Sequence, residues 1–173
     1  MSSQHFNLAF AHVTSPSIEG GFSDDPDDRG GRTNHGVSQK SYPDLDIRNL
    51  SLEHTRSIFQ KDYWESPQCD ELPGNWGFAL FDAAVNHGQK LAVVIMQQAL
   101  RVKADGINGP ITQAAARAAD DTAIAHFFAR RARFYFDITI ADSTQAKYLN
   151  GWMNRLFLLQ QAIHRHEGAL RDL

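Results

Sequence analysis

Glu19, Asp28 and Thr33 are the residues whose types and spacing could do chemistry in this chain. They lie in Ile18 to Ser38, IEGGFSDDPDDRGGRTNHGVS, which holds one glutamate, four aspartates and five glycines and is too polar and glycine-rich for a core helix or a central strand. A loop carrying acids is a candidate site. Glu19 precedes Gly20-Gly21, a pair that commonly ends a helix in a left-handed cap. The electronegative carbonyls of a helix C-terminus, with partial burial beside Ile18 and Phe22, favour the protonated acid. A carboxyl group still protonated near neutral pH can donate a proton to a leaving glycosidic oxygen. A second carboxylate, Asp28, can steady charge or activate water on the other side of the bond, and the Thr33 hydroxyl can hold that water. A DDPDD run can equally be a solvated acidic turn. Calcium fits poorly, because an EF-hand loop starting at Asp24 would place Pro26 and His35 at ligand positions.

The elements that must position these groups are mostly helical. A first helix is expected over about Gln4 to Thr14, with Pro16 kinking it or opening a short turn that carries Glu19. A short hairpin or bent strand has room through Arg32 to Ser38. Leu52, Ile58 and Phe59 have helical spacing over Ser51 to Tyr63, with Ser51 as N-cap. A proline-punctuated loop led by Tyr63 and Trp64 follows, and these two aromatics suit either a sugar-binding groove or the core. Trp76 to Gly88 reads as an apolar helix with Phe78, Phe81 and Val85 inward, and with Asp82 and Asn86 as i,i+4 neighbours on another face. Asn86 could bond substrate or the acidic loop, or cap the helix.

Leu91 to Val102 is a buried helix, Pro110 opens the next one, and helices run from Asp121 to about Ile140 and from about Thr144 to His166. Phe127, Phe128, Phe134, Tyr135, Trp152, Leu156 and Leu159 are the expected core there. Arg130, Arg131 and Arg133 read as a solvated face.

The run Glu19-Gly-Gly-Phe22, with Asp28, Gly30-Gly31, Thr33-Asn34-His35-Gly36 after it, resembles the signature of glycoside hydrolase family 108, peptidoglycan N-acetylmuramidases found among phage endolysins and bacterial secretion-activator proteins. The order Glu, Asp, Thr is also similar to the triad of phage-type lysozymes. Phe22 stands where the family usually has tyrosine, and His35 where an aromatic often precedes Gly36. With Asn34 they are candidate sugar-wall residues, as are Tyr63, Trp64 and Asn86. The Tyr-Trp pair, Phe81-Asp82-x-Ala-Val-Asn86-x-Gly88 and Gly151-Trp152-x-x-Arg155 match family patterns. Asp105-Gly-x-x-Gly109-x-x-Thr112 resembles an element of predicted peptidoglycan-binding modules.

The resemblance implies a mainly α, lysozyme-like α+β fold with a small irregular or β excursion after the first helix. It implies hydrolysis of the β-1,4 bond between N-acetylmuramic acid and N-acetylglucosamine, with Glu19 as acid and no cofactor. Two rivals stand beside it: a lytic transglycosylase, in which one acid suffices and 1,6-anhydro ends form, and a non-catalytic wall-binding module.

At 173 residues and 42% hydrophobic, the chain fits one compact domain, expected as a monomer, with a catalytic half over 1–90 and a helical half over 91–173. The single Cys69 excludes an intramolecular disulfide, and no Cys/His pairs stand at zinc spacing. Nucleic acid is a poor partner, since no dense basic run with interleaved aromatics occurs. The N-terminus has neither the basic region nor the apolar run of a signal peptide, and nothing approaches the ~20 apolar residues of a membrane span. Cytoplasmic synthesis is therefore expected, with delivery to the wall by a secretion route or, as the resemblance implies, a holin. The first 90 residues hold 7 Lys and Arg against 13 Asp and Glu, and the rest 10 against 7. That asymmetry would suit a basic back end that approaches an anionic envelope.

Overall fold

Helix α3, Gly74–His87, is the axis of the molecule. Its sequence is apolar on every side, which suits a helix surrounded by others, and Trp76 through Ala84 are all buried. The computed structural model describes residues 2–18, 21–25 and 31–170. Among them are eight α-helices and one two-stranded antiparallel sheet, a mainly α, lysozyme-like arrangement.

Around α3 pack α1 (Ser2–Val13), α4 (Gln89–Ala99) and α7 (Leu149–Arg165), with α6 (Asp121–Ala141) packed on α4 and α7, and α2 (Leu52–Ile58) leading into the segment 59–65 that meets α3. The shorter α5 (Pro110–Ala118) and α8 (Glu167–Leu170) complete the set. Aromatic rings join them: Phe6 of α1 meets Phe81 edge-on at 5.8 Å, and Trp76 meets Phe127 of α6 at 5.9 Å. Several ends are the ones the sequence marks. Ser51 Oγ accepts from the His54 N–H at 3.1 Å, Pro110 opens α5, and Gly88 follows α3 at φ +85°.

The expected helix over Ser51 to Tyr63 divides. After Ile58 the backbone winds as a π-helix over Phe59–Glu65, a form that concentrates at functional sites. Its register turns both Phe59 and Trp64, five positions apart, into the core. Gln89 at the start of α4 holds the segment, donating through Nε2 to the Asp62 carbonyl and accepting from Ser66 Oγ at 2.9 Å.

The β excursion is a hairpin of β1 (Thr33–Asn34) and β2 (Val37–Ser38). Its two-residue turn, His35-Gly36, has φ of +51° and +81°, the left-handed pair of a tight hairpin turn. Asn34 Nδ2 pins the hairpin to the carbonyls of Ile47 (3.0 Å) and Arg48 (3.3 Å).

Two charged residues lie where the helical pattern did not put them. Asp82 is fully buried rather than on a polar face, and Arg131 is fully buried rather than part of a solvated arginine face. Arg131 Nη2 is 2.7 Å from Asp82 Oδ1, and Arg155 Nε is 2.9 Å from Asp82 Oδ2. The physical reason is mutual: neither charge is tolerable in the core alone, and each makes the other so. This ion cluster ties α3 to α6 and α7. With Lys147–Asp25 (3.0 Å) and Arg117–Glu71 (3.9 Å), it shows that part of the charge asymmetry between the two halves is neutralised across the fold.

His12 and His87 add a dependence on pH. Burial holds both below the usual 6.5; for His12 the nearby Asp82 charge opposes the effect, and Arg155, His166 and Arg165 reinforce it. For His87 the Arg131 charge reinforces burial and Asp82 opposes it. The unfolded chain therefore binds more protons than the folded one just below pH 6.5. This contribution to stability is complete above that value and is lost as pH falls. Urea midpoints should drop between pH 7.5 and 5.5, the unfolding free energy falling by at most ~1.4 kcal/mol per histidine for each pH unit below 6.5. His87→Phe should flatten the curve; a midpoint that is constant over this range would exclude the effect.

Candidate active site

A cleft of about 570 Å³ opens between the hairpin and the α6–α7 end of the bundle. One wall is Thr33, Gly36 and Ser38 from the hairpin with Lys40 and Ser41 behind them. Tyr63 and the last turn of α3, Val85 to Gly88, form the floor. The opposite wall is Phe134 and Ile138 of α6, Gln145, Tyr148, and Trp152 of α7. A slightly larger hollow of about 620 Å³, lined by Pro73, Ile124, Phe128 and Ile163, contains none of the described acidic-loop residues.

The acidic loop meets this cleft at Thr33, and through partners at Ser23 and Asp25. Helix α1 stops at Val13, and a turn closed by the Ile18 N–H on the Ser15 carbonyl (2.9 Å) leads to Glu19. Glu19 and Asp28 lie outside the described residues, as do Gly20, residues 26–30 and 171–173. The segments that flank them are tied down. Ser23 and Thr33 exchange backbone hydrogen bonds at 2.8 and 2.9 Å. Arg32 Nε pairs with Asp24 at 3.1 Å. Asp25 accepts from Lys147 Nζ at 3.0 Å and from the Tyr148 hydroxyl at 2.8 Å, so the acidic half of the loop is anchored to the far wall of the cleft. The DDPDD run is thus more than a solvated turn at Asp24 and Asp25.

Thr33 lines the cleft, and among the described residues its hydroxyl makes no hydrogen bond, which leaves it available to a water or a sugar. The sugar-wall candidates separate. Tyr63 reaches the cleft floor, edge-on to Phe59 at 5.5 Å. Trp64 is 2% exposed, between Phe6 and Phe81 at 5.6 Å from each, and belongs to the core. Asn34 is buried under the hairpin, and His35 forms its turn. Phe22 has the Arg48 guanidinium 4.6 Å over its ring, a cation–π contact that occupies one face. Asn86 lines the cleft.

The aromatic wall escaped the sequence reading, which put Phe134 and Trp152 in the core. Trp152 is half-buried, stacked on Tyr135 at 5.2 Å and 19°, with Tyr148 at 5.9 Å. Helical spacing marks the inward face but cannot show where that face opens into a cleft. A matched pair of changes tests the division: Tyr63→Ala should weaken binding of glycan oligomers by up to about tenfold, in the range of one aromatic contact. Trp64→Ala should lower the melting temperature with affinity unchanged in the folded fraction. The reverse pattern, read by calorimetry, would return Trp64 to the groove.

The Asp105 to Thr112 turn is satisfied from inside. Gln97 Nε2 donates to Asp105 Oδ1 (2.8 Å) and Thr112 Oγ1 (3.0 Å), and Gln97 Oε1 accepts from the Gly106 N–H at 2.8 Å. Among the described residues no group of three His, Cys, Asp or Glu could hold a metal ion, and no helix is long and apolar enough to cross a membrane.

Comparison with known proteins agrees with this division of the cleft. Residues 15–88 match the family model described as glycosyl hydrolase 108, and residues 91–157 match one described as a predicted peptidoglycan domain. No curated protein matches. Among solved structures, that of Brucella abortus SagA is similar at 26% identity with a TM-score of 0.80, covering 99% of this chain and 98% of that one. The hairpin wall and the α3 floor fall in the first matched segment, and the aromatic wall falls in the second, at Phe134, Tyr148 and Trp152. The chain thus carries a glycosyl hydrolase 108 domain over residues 15–88, followed by a predicted peptidoglycan domain over residues 91–157.

Proposed function

We propose that this glycoside hydrolase, whose two matched domains make it a peptidoglycan hydrolase, cleaves the β-1,4 bond between N-acetylmuramic acid and N-acetylglucosamine, with Glu19 as general acid. Asp28 is the second carboxylate and Thr33 orients the attacking water. The observation that carries this reading is the cleft itself. It takes Thr33 from the acidic motif on one wall and aromatic side chains from the predicted peptidoglycan domain on the other. A glycan strand lying there would stack on Tyr63 and Trp152 while its scissile oxygen meets the loop that begins at Glu19. The Thr33 hydroxyl, with no protein partner among the described residues, suits a role on water.

Purified sacculi test the reading. Turbidity should fall, and mass spectrometry of the products should show N-acetylmuramic acid at reducing ends. Products ending in 1,6-anhydromuramic acid would assign a lytic transglycosylase. Ends at N-acetylglucosamine would assign the other glycosidic bond, and sedimentation with sacculi at constant turbidity would assign a wall-binding module. Endolysin or secretion-linked use in the cell, delivery by a holin-like or secretion route, and a monomeric state belong to this same proposal.

A further inference from the structure

Tyr135 is 1% exposed, yet it touches two cleft residues at once. Its hydroxyl is 2.7 Å from Asn86 Oδ1, and its ring lies under the Trp152 indole at 5.2 Å. The direction of the hydrogen bonds is fixed by charge. Arg131 Nη2 is 3.2 Å from the Tyr135 hydroxyl, and a guanidinium can only donate. Tyr135 therefore accepts from Arg131, and among the described residues its own proton has one acceptor, Asn86 Oδ1. The Asn86 carbonyl is thereby occupied, and its Nδ2 amide is turned as a donor toward the cleft that Asn86 lines.

From this we propose that Asn86 and Trp152 form a subsite for the acetamido group of an N-acetylated aminosugar, with Tyr135 as its positioning residue. An acetamido group presents a carbonyl acceptor beside a methyl group; an amide donor beside an indole face is the complementary pair. The subsite rests on the glycan reading above and refines it, because it requires substrate recognition through the N-acetyl group.

The test compares native sacculi, sacculi de-N-acetylated to free amines, and the same material re-acetylated with acetic anhydride. The wild-type protein should lose about tenfold or more in kcat/KM on de-N-acetylated glycan, since a site built to hydrogen-bond a group rejects the analogue lacking it. Re-acetylation should restore the rate. Tyr135→Phe retains the stack but removes the hydroxyl, and Asn86→Asp retains shape but replaces the donor with an acceptor. Each should lower kcat/KM on native sacculi about five- to tenfold, mainly through KM, and shrink the preference for native over de-N-acetylated glycan toward unity, Asn86→Asp the more so because its carboxylate attracts the free ammonium.

A wild-type protein without preference overturns the subsite. So does a variant that slows both substrates equally, which marks a structural role. If Tyr135→Phe does not fold, Asn86→Asp at the cleft edge decides alone. No hydrolysis of any sacculi by the wild-type protein strikes the proposed activity instead.

Discussion

Glu19→Gln is expected to fold with an unchanged melting temperature, bind glycan as the wild-type protein does, and lose about 10²–10⁴ of its turnover on sacculi. Glutamine keeps the shape and hydrogen-bonding reach of glutamate but has no acidic proton to give the leaving oxygen. Asp28→Asn should cost less, because solvent partly replaces a group that steadies charge or orients water. The two variants also separate on pH. If Glu19 must be protonated to act, the wild-type rate falls on the alkaline side as the acid ionises, and in Glu19→Gln that limb disappears from the residual rate. Glu19→Gln retaining more than about a tenth of wild-type activity, well inside the ~10²-fold expectation, would remove Glu19 from the role of acid.

Asp82→Asn should destabilise the protein by about 3–5 kcal/mol, the cost of leaving buried charge without its counterion. For a chain of this size that is a fall of roughly 6–20 °C in melting temperature. Asparagine keeps the size of the side chain but leaves the Arg131 and Arg155 charges without the carboxylate between them. Arg131 is the more exposed to that loss in energetic terms: its Nε and Nη1 are buried and, among the described residues, lack partners. Burial alone would raise the Asp82 pKa, yet Arg155 and Arg131 outweigh it and bring the carboxyl from the usual 3.8 down to about 2. A depressed carboxylate pKa adds stability that is complete above the ordinary range and is lost as pH falls through about 2. Calorimetry in low and high salt discriminates further, since buried pairs are screened little. A wild-type-like melting temperature, or a loss that vanishes with salt, would show that the cluster does not hold the core.

The helices and the hairpin were legible because local rules govern them. Proline at 110, serine at 51 and glycine at 88 mark the ends they should, and apolar spacing marks the faces between. The hairpin was readable from the short polar run that ends at Val37-Ser38. What escaped depends on partners far away in the chain. An aspartate at a helical position gives no sign that an arginine 73 residues later will meet it. A tryptophan spaced like a core residue gives no sign that the core opens beside it. The π-helical turn is a third case, since the Gln89 side chain that clamps it stands 27 residues from Asp62 in the chain.

The distance between Asp82 and Arg155 has a consequence for synthesis. A chain leaves the ribosome from its N-terminus, and its parts fold as they emerge. The half that bears the acidic motif is made first, with a carboxylate that cannot be buried alone and a cleft without its aromatic wall. Arg131 and Phe134 on helix 121–141 begin to remove both deficits, and Arg155 and Trp152 on the last long helix, 149–165, complete the removal. The ion cluster and the cleft wall are therefore completed late, and a chain that stops before residue 149 lacks part of both.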